Sequence, residues 1–317
     1  MQSNLIDQRT FVRLADGRRL SYAETGPRDG TAVVYCHGAI GTPLGGSVDL
    51  DASAWDLDIR HVSVNRPGVG GSDPAPGRTI VQFASDLHEL VDALRIGRFS
   101  LVGVSAGGPY ALAAARELPD RVDRVAVCSS LSPLCELHQT PGVALRVRLA
   151  LRILARIPGP CAAMGEAILP LVRRHPQLLS RIIAAHAAPS ERKHLARADE
   201  RDAVMASFLT ATAGGVRGPI DDYLVYSAPW GFAADEIRCE VHLWHGLNDP
   251  LVPIDHALEL AVALPRCRVF FDPDEGHHFF RRRLAEILGV LIGQRAEPSA
   301  GVATSLPPAW TLAARRD

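Results

Sequence analysis

Nowhere does the 317-residue chain run through about eighteen uninterrupted apolar residues, so no membrane-spanning helix and no stable membrane insertion are expected. Its first residues, MQSNLIDQRTF, have no basic stretch leading into an apolar one. No secretory leader is read there, and a cytoplasmic location is the expectation. The six cysteines (36, 128, 135, 161, 239 and 267) form no CxxC pair. Cys36, Cys128 and Cys239 lie in apolar, strand-like runs, where a reduced thiol behaves as a small hydrophobe. Structural disulfides are therefore not expected. A His-Glu-x-x-His pair and clustered Cys/His spacing are missing as well, so no metal and no cofactor are expected. The formal net charge of −1 offers no field to gather nucleic acid or an acidic partner.

What is present is the composition of a folded globular protein, 47% hydrophobic and 22% charged. The length suits one large core with an insertion, or two ordinary domains. In the first half, strand-like and helix-like segments alternate. Residues 11–14 and 18–25 flank an Ala-Asp-Gly turn and read as a hairpin. Short apolar runs at 31–36, 59–64, 98–104 and 122–128 read as strands. Residues 80–94 carry Ile80, Phe83, Leu87, Leu90, Val91 and Leu94 at helical spacing, and 109–118 read as a helix of small residues. From 133 to 218 the chain is rich in Ala, Leu, Ile and Arg, broken by prolines, and has no convincing strand. These residues are expected to form a separate helical cap. Alternation resumes with a strand at 240–244, a helix at 254–264, a strand at 268–272 and a helix at 279–292. Residues 295–317 lack periodicity and read as a mobile tail. Such alternation predicts an α/β fold with a mainly parallel central sheet and helices on both faces. Residues 1–132 and 219–294 form its core, and the chemistry is expected beyond the carboxyl ends of the strands.

At one of those ends stands Gly103-Val104-Ser105-Ala106-Gly107-Gly108. A Gly-x-Ser-x-Gly between strand and helix permits a very sharp turn that lifts the serine hydroxyl above the sheet edge. By chance, about one chain in ten of this length holds such a pattern, so the strand before it and the Ala-rich helix after it carry the weight. An acyl-transfer nucleophile also needs donors for the oxyanion. The Ala106 N–H, at the start of a helix, is one candidate. Ala39, after His37-Gly38 at the end of the 31–36 strand, supplies the second. Losing one such donor costs about 3 kcal/mol of transition-state stabilisation. His37 itself reads as a loop anchor rather than a base.

A serine hydroxyl needs a histidine to accept its proton. Of twelve histidines, His277 follows the last strand on the Gly-containing loop Asp272-Pro-Asp-Glu-Gly-His, with His278 as its neighbour and rival. The acid that orients it is expected at Asp249, in Trp244-His245-Gly246-Leu247-Asn248-Asp249, just past the penultimate strand. Asp274 and Glu275 are too near His277 in sequence to take that place. The chain order is Ser, Asp, His.

Together His37-Gly38, Asn65-Arg66-Pro67-Gly68-Val69-Gly70-Gly71-Ser72, Gly103-Val104-Ser105-Ala106-Gly107, His245-Gly246-Leu247-Asn248-Asp249 and Gly276-His277 resemble the α/β-hydrolase superfamily over roughly residues 10–132 and 219–294. Many members carry Asp where this chain has Asn65. Ser105 disfavours the relatives with an aspartate nucleophile, and the Gly-Gly-Ser-Trp-Gly usual in proline iminopeptidases is absent. The resemblance implies a helical cap over residues 133–218 that excludes water and shapes the pocket. Within it Arg148, Arg152 and Arg156 recur at helical spacing, while Leu145, Leu149 and Ile153 fall elsewhere on the helix. The arginines read as a solvated face; a sharper reading is attraction to an anionic acyl carrier, a phosphate-bearing thioester or a membrane surface. The expectation is a serine hydrolase acting on a small-molecule, hydrophobic carboxylic ester. Thioester hydrolysis, C–C hydrolysis, cofactor-free perhydrolysis and a non-catalytic ligand receptor remain open, as does the oligomeric state.

Overall fold

The chain folds around one eight-stranded sheet, described here from a computed structural model that covers residues 10–39, 53–132, 145–296, 298 and 302–305. The end of the loop after His37-Gly38-Ala39, the first part of the expected cap (133–144) and most of the expected tail lie outside the described residues.

β1 (Phe11–Arg13) and β2 (Arg19–Thr25) form the antiparallel hairpin around the Ala-Asp-Gly turn. β3 (Thr31–Cys36), β4 (Ile59–Val64), β5 (Phe99–Val104), β6 (Val122–Cys128), β7 (Glu240–Gly246) and β8 (Cys267–Asp272) follow. The spatial order is β1-β2-β4-β3-β5-β6-β7-β8. β2 meets β4 antiparallel, and every later neighbour is parallel. Parallel neighbours require crossovers. These include α1 (Ile80–Ala93) between β4 and β5, α2 (Gly108–Glu117) between β5 and β6, and α9 (Ile254–Ala263) between β7 and β8, while α10 (Phe280–Leu291) follows β8.

The unbroken apolar strands now have their cause. Successive residues enter different cores: Val34 and Leu101 pack with α1 and α2, whereas Val33 and Val102 pack on the other face with Phe279, Ile287 and Leu291. All six residues of β5 are buried. α1 begins with a reciprocal cap, in which the Gln82 N–H donates to Thr79 Oγ1 (3.2 Å) and the Thr79 N–H to Gln82 Oε1 (2.8 Å).

Between β6 and β7 the chain inserts only helices among its described residues: α3 (Leu145–Arg156), α4 (Pro158–Arg174), α5 (Pro176–His186), α6 (Pro189–Leu195), α7 (Ala198–Ala211) and α8 (Arg217–Tyr226). α8 straddles residue 218, where the insertion was expected to end. None of the described helices is long and apolar enough to cross a membrane. Of the expected tail, Ala303 is placed against the sheet edge and exchanges two 2.8 Å backbone hydrogen bonds with Phe271.

A close fit occurs where α2 passes β5. A Cβ on Gly103 would lie 2.8 Å from the Ala111 Cβ and from the Gly107 carbonyl oxygen, and one on Gly107 would strike the Cys36 and His37 carbonyls. Gly103→Val is expected to destabilise the protein by about 1–3 kcal/mol through overpacking. Gly97→Ala, at a position with nothing within 4 Å, is expected to stay within about 0.5 kcal/mol. Urea denaturation midpoints of the two variants check both statements.

Candidate active site

Strand order reverses between β3 and β5: the chain leaves β3 toward β4 on one side and returns to β5 on the other. Loops at the carboxyl ends of these two strands must diverge, which opens a crevice between them. Ser105 stands there, directly after β5, in a single 3-10 turn (Ser105–Gly107) that leads into α2. Its φ of 53° lies in the left-handed region, which costs a residue with a side chain about 1–3 kcal/mol and persists only where the surroundings enforce it. The enforcing contacts are the close approaches at Gly103 and Gly107. From across the crevice Gly38 comes so near that a Cβ on it would sit 3.5 Å from the Ser105 Cβ. Ala106 is buried and Ala39 half-buried, one on each side of that approach.

The β3 loop is held from behind. Arg66 donates through Nη1 to the His37 carbonyl and through Nη2 to the Gly38 carbonyl (3.0 Å). In a trans peptide the N–H opposes the C=O, so the Ala39 N–H points away from that guanidinium. His37 donates from Nδ1 to the Gly38 carbonyl (2.8 Å) and accepts the Arg66 N–H at Nε2 (3.4 Å). Burial and the nearby Arg66 charge push its pKa down to about 3, so it is a neutral anchor, as the sequence suggested.

Past β7 and β8 the structure brings His277 and Asp249 together. His277 Nδ1 donates to Asp249 Oδ2 at 2.7 Å, and the other Asp249 oxygen accepts the N–H groups of Leu251 and Val252, each at 2.8 Å. The two loops interlock: the Asn248 N–H donates to the Glu275 carbonyl (2.9 Å), and a Cβ on Gly246 would crowd the Gly276 and Glu275 carbonyls. Burial disfavours the charged form of both side chains. Their mutual attraction outweighs it, so Asp249 stays below the usual carboxylate range and His277 above the usual imidazole value. With Nδ1 committed to Asp249, Nε2 is the ring nitrogen left for proton transfer.

The rivals are turned to other tasks. Burial and the neighbouring His277 press the pKa of His278 down to about 3. Glu275 pairs with Arg282, and Asp274 is exposed, away from the buried His277–Asp249 pair. No group of three or more metal-ligating side chains exists among the described residues.

A family model for the alpha/beta hydrolase fold matches residues 31–198, just over half of the chain. The chain belongs to the α/β-hydrolase family. It is similar to a non-heme chloroperoxidase of Streptomyces lividans, 32% identical over 133 residues that make up 39% of this chain and 45% of that protein. An uncharacterized protein of Mycobacterium tuberculosis is 26% identical over 232 residues, 71% of this chain and 64% of its own. The matches to the first two curated relatives thus span about half of those proteins' length. Among solved structures, a hydrolase from Pseudomonas aeruginosa superposes with a TM-score of 0.67 at 17% identity, covering 92% of this chain and all of that one. An esterase from Exiguobacterium antarcticum superposes with a TM-score of 0.64 at 17% identity, covering 90% and 99%. At such identities the likeness is one of fold.

Two features of this α/β hydrolase escape sequence reasoning. The first is Asp222 of α8, fully buried, which accepts from Arg66 Nε (2.9 Å), Arg78 Nη2 (2.9 Å) and the Tyr110 hydroxyl (2.7 Å). Burial alone would raise its pKa, and the two guanidinium charges hold it below the usual range instead. Arg66 stands in the quoted motif, but 156 residues separate it from its partner. The second is Glu191 of α6, 2% exposed, which accepts from the His278 N–H and from the Ala188 N–H (3.2 Å). Its position at the third residue of a helix explains the bond to Ala188; nothing in the sequence ties it to the His277 loop. Nearby, Glu200 of α7 accepts from Arg281 Nε at 2.7 Å, so the inserted helices hold both this loop and the start of α10. Asp222→Ala leaves two buried guanidinium groups without their carboxylate and is expected to cost about 3–5 kcal/mol, read as a lowered urea midpoint.

Proposed function

We propose that this chain is a serine hydrolase that cleaves a carboxylic ester through an acyl-enzyme. The observation that carries the proposal is the 2.7 Å His277–Asp249 pair, buried at the same sheet edge where Ser105 is held at φ 53°. In this reading Ser105 is the nucleophile, His277 the general base and Asp249 the acid that fixes the imidazole tautomer. His277 Nε2 takes the hydroxyl proton as Ser105 Oγ attacks the ester carbonyl. The negative oxygen of the tetrahedral intermediate is received by the N–H groups of Ala39 and Ala106, one fixed by Arg66 behind it and the other backed by α2. The imidazolium then protonates the departing alcohol, and water repeats the sequence on the acyl-enzyme. The inserted helices act as a cap that keeps bulk water from these steps. Their apolar composition favours a hydrophobic acyl or alcohol group.

Supporting the hydrolase class are the family itself and the esterase among the fold neighbours. The similarity to a chloroperoxidase and the likeness to a Bacillus anthracis bromoperoxidase (TM-score 0.66, 19% identity) favour a second reading on the same residues. There hydrogen peroxide replaces water at the acyl-enzyme and releases a peracid.

Ser105→Ala is expected to lower kcat on p-nitrophenyl butyrate by at least about 10⁴-fold and to abolish labelling by a fluorophosphonate. Retained turnover would remove the assignment. Labelling of the parent protein without turnover of any ester in a chain-length series would point to a more specialised acyl substrate.

The base must be neutral to work, so activity falls as pH drops through the His277 pKa. Asp249 raises that pKa against burial, which places the acid limb of kcat/KM above 6.5. Around His277 stand Asp249, Glu191, His278 and His245. Glu191→Gln removes a negative charge that favours the imidazolium, so the acid limb is expected to move to lower pH. A purely structural Glu191 would change kcat/KM or stability and leave the limb in place.

A further inference from the structure

The helices α3 and α4 each have two apolar sides, and among the described residues only one of them is covered. In α3, Leu151 and Leu154 pack against the core. At 100° per residue, Leu149 and Ile153 fall on the opposite side, and they are 57% and 44% exposed. α4 repeats the pattern. Ala162 and Leu169 are buried, while Met164, Ile168 and Leu171 form a tight stripe on the far side, all about half exposed or more. In α5 Leu178 is exposed as well. An isolated exposed leucine needs no explanation, but outward apolar stripes on successive helices form a surface that expects a partner.

Charge says which partner. Residues 145–186 contain seven arginines and one glutamate, a net charge of +6 in a chain whose overall charge is −1. Arg152 and Arg156 directly precede Ile153 and Ile157, so the basic stripe of α3 runs beside the apolar one. Both are exposed. A second copy docked through the same face would bring the exposed Arg152 and Arg156 of both copies together. An anionic surface meets both needs, because its charge attracts the arginines and its acyl boundary takes the apolar stripes.

We propose that the outer face of α3, α4 and α5 is a docking surface for an anionic lipid bilayer. The helices lie in the interface and do not cross it. The docked surface is the side of the insertion that faces away from the sheet, so binding and ester turnover are separable.

The test is flotation of the full chain with vesicles of equal parts phosphatidylglycerol and phosphatidylcholine, and with phosphatidylcholine alone. Binding to the anionic vesicles is expected to be at least about tenfold tighter and to be lost in about 0.5 M salt. Ile153→Glu with Ile168→Glu is expected to weaken it by about tenfold or more, and Arg152→Gln with Arg156→Gln by several-fold. Circular dichroism and p-nitrophenyl ester turnover at the parent level show that the variants remain folded. No vesicle binding, or equal binding to both lipid mixtures, would overturn the proposal. So would a dimer in light scattering that Ile153→Glu splits, which would assign the face to a second copy.

Discussion

Arg66 and Asp222 are both sealed from water, and each is tolerable only because the other is there. Desolvating a charge costs several kcal/mol per ion, and a lone buried guanidinium has no inexpensive way to lose its charge. The pair therefore fixes everything that it touches. Arg66 comes from the turn after β4, Asp222 from the last inserted helix, and Tyr110, whose ring lies 4.7 Å from the guanidinium carbon, from α2. The same guanidinium holds the His37 and Gly38 carbonyls. Core strand, β3 loop, central helix and insertion thus meet at one ion pair. Replacing it with apolar groups of similar volume would keep the packing and lose the orientation of the Gly38–Ala39 peptide. In the proposed chemistry that orientation sets one of the two oxyanion donors.

A second constraint is room. Parallel strands buried on both faces leave α2 little space, and Gly103 and Gly107 let it press onto β5 and β3. The resulting turn holds Ser105 in a conformation that a free serine avoids. Strain of this kind is maintained by neighbours, so stability invested in the core is spent on geometry at the sheet edge. Gly103 and Gly107 are therefore sensitive to added volume and also aim the hydroxyl.

Much of this was legible in the sequence because the signals are local. Thr31–Cys36 and Val122–Cys128 read as buried strands since central parallel strands are apolar throughout. Asp249 and His277 could be paired because each lies on the loop after a recognisable strand, and β7 and β8 are neighbours. The partners that stayed hidden are those set by tertiary packing. Nothing about Asp222 distinguishes it from Asp221 beside it until α8 folds with Asp222 inward and Asp221 toward solvent. Glu191 lies 87 residues before the backbone N–H that it holds. For α3, the heptad-like recurrence of leucine and arginine was visible. With apolar residues on two sides of the helix, periodicity does not say which side turns inward, and Leu151 and Leu154 took that place rather than Leu145, Leu149 and Ile153.

The insertion therefore has an inner and an outer chemistry. On its inner side two buried carboxylates, Glu191 and Glu200, reach the loop and helix start that carry His277. A carboxylate this deep is retained at a desolvation cost, which burial shows in the raised pKa of Glu191. That cost is offset only if the helices stay seated, so the position of the insertion and the electrostatic surroundings of His277 are one variable. A helix displaced outward would remove a negative charge from the imidazole and release the backbone that orients it. On the outer side, Leu149 and Ile153 of α3 and Met164, Ile168 and Leu171 of α4 stay exposed, away from the residues that pack inward. The glutamates that reach the histidine loop and the start of α10 stand on α6 and α7, whereas the outer stripes stand on α3 and α4, so the two chemistries are carried by different helices. The link from the insertion to the proposed base therefore runs through α6, by way of one glutamate.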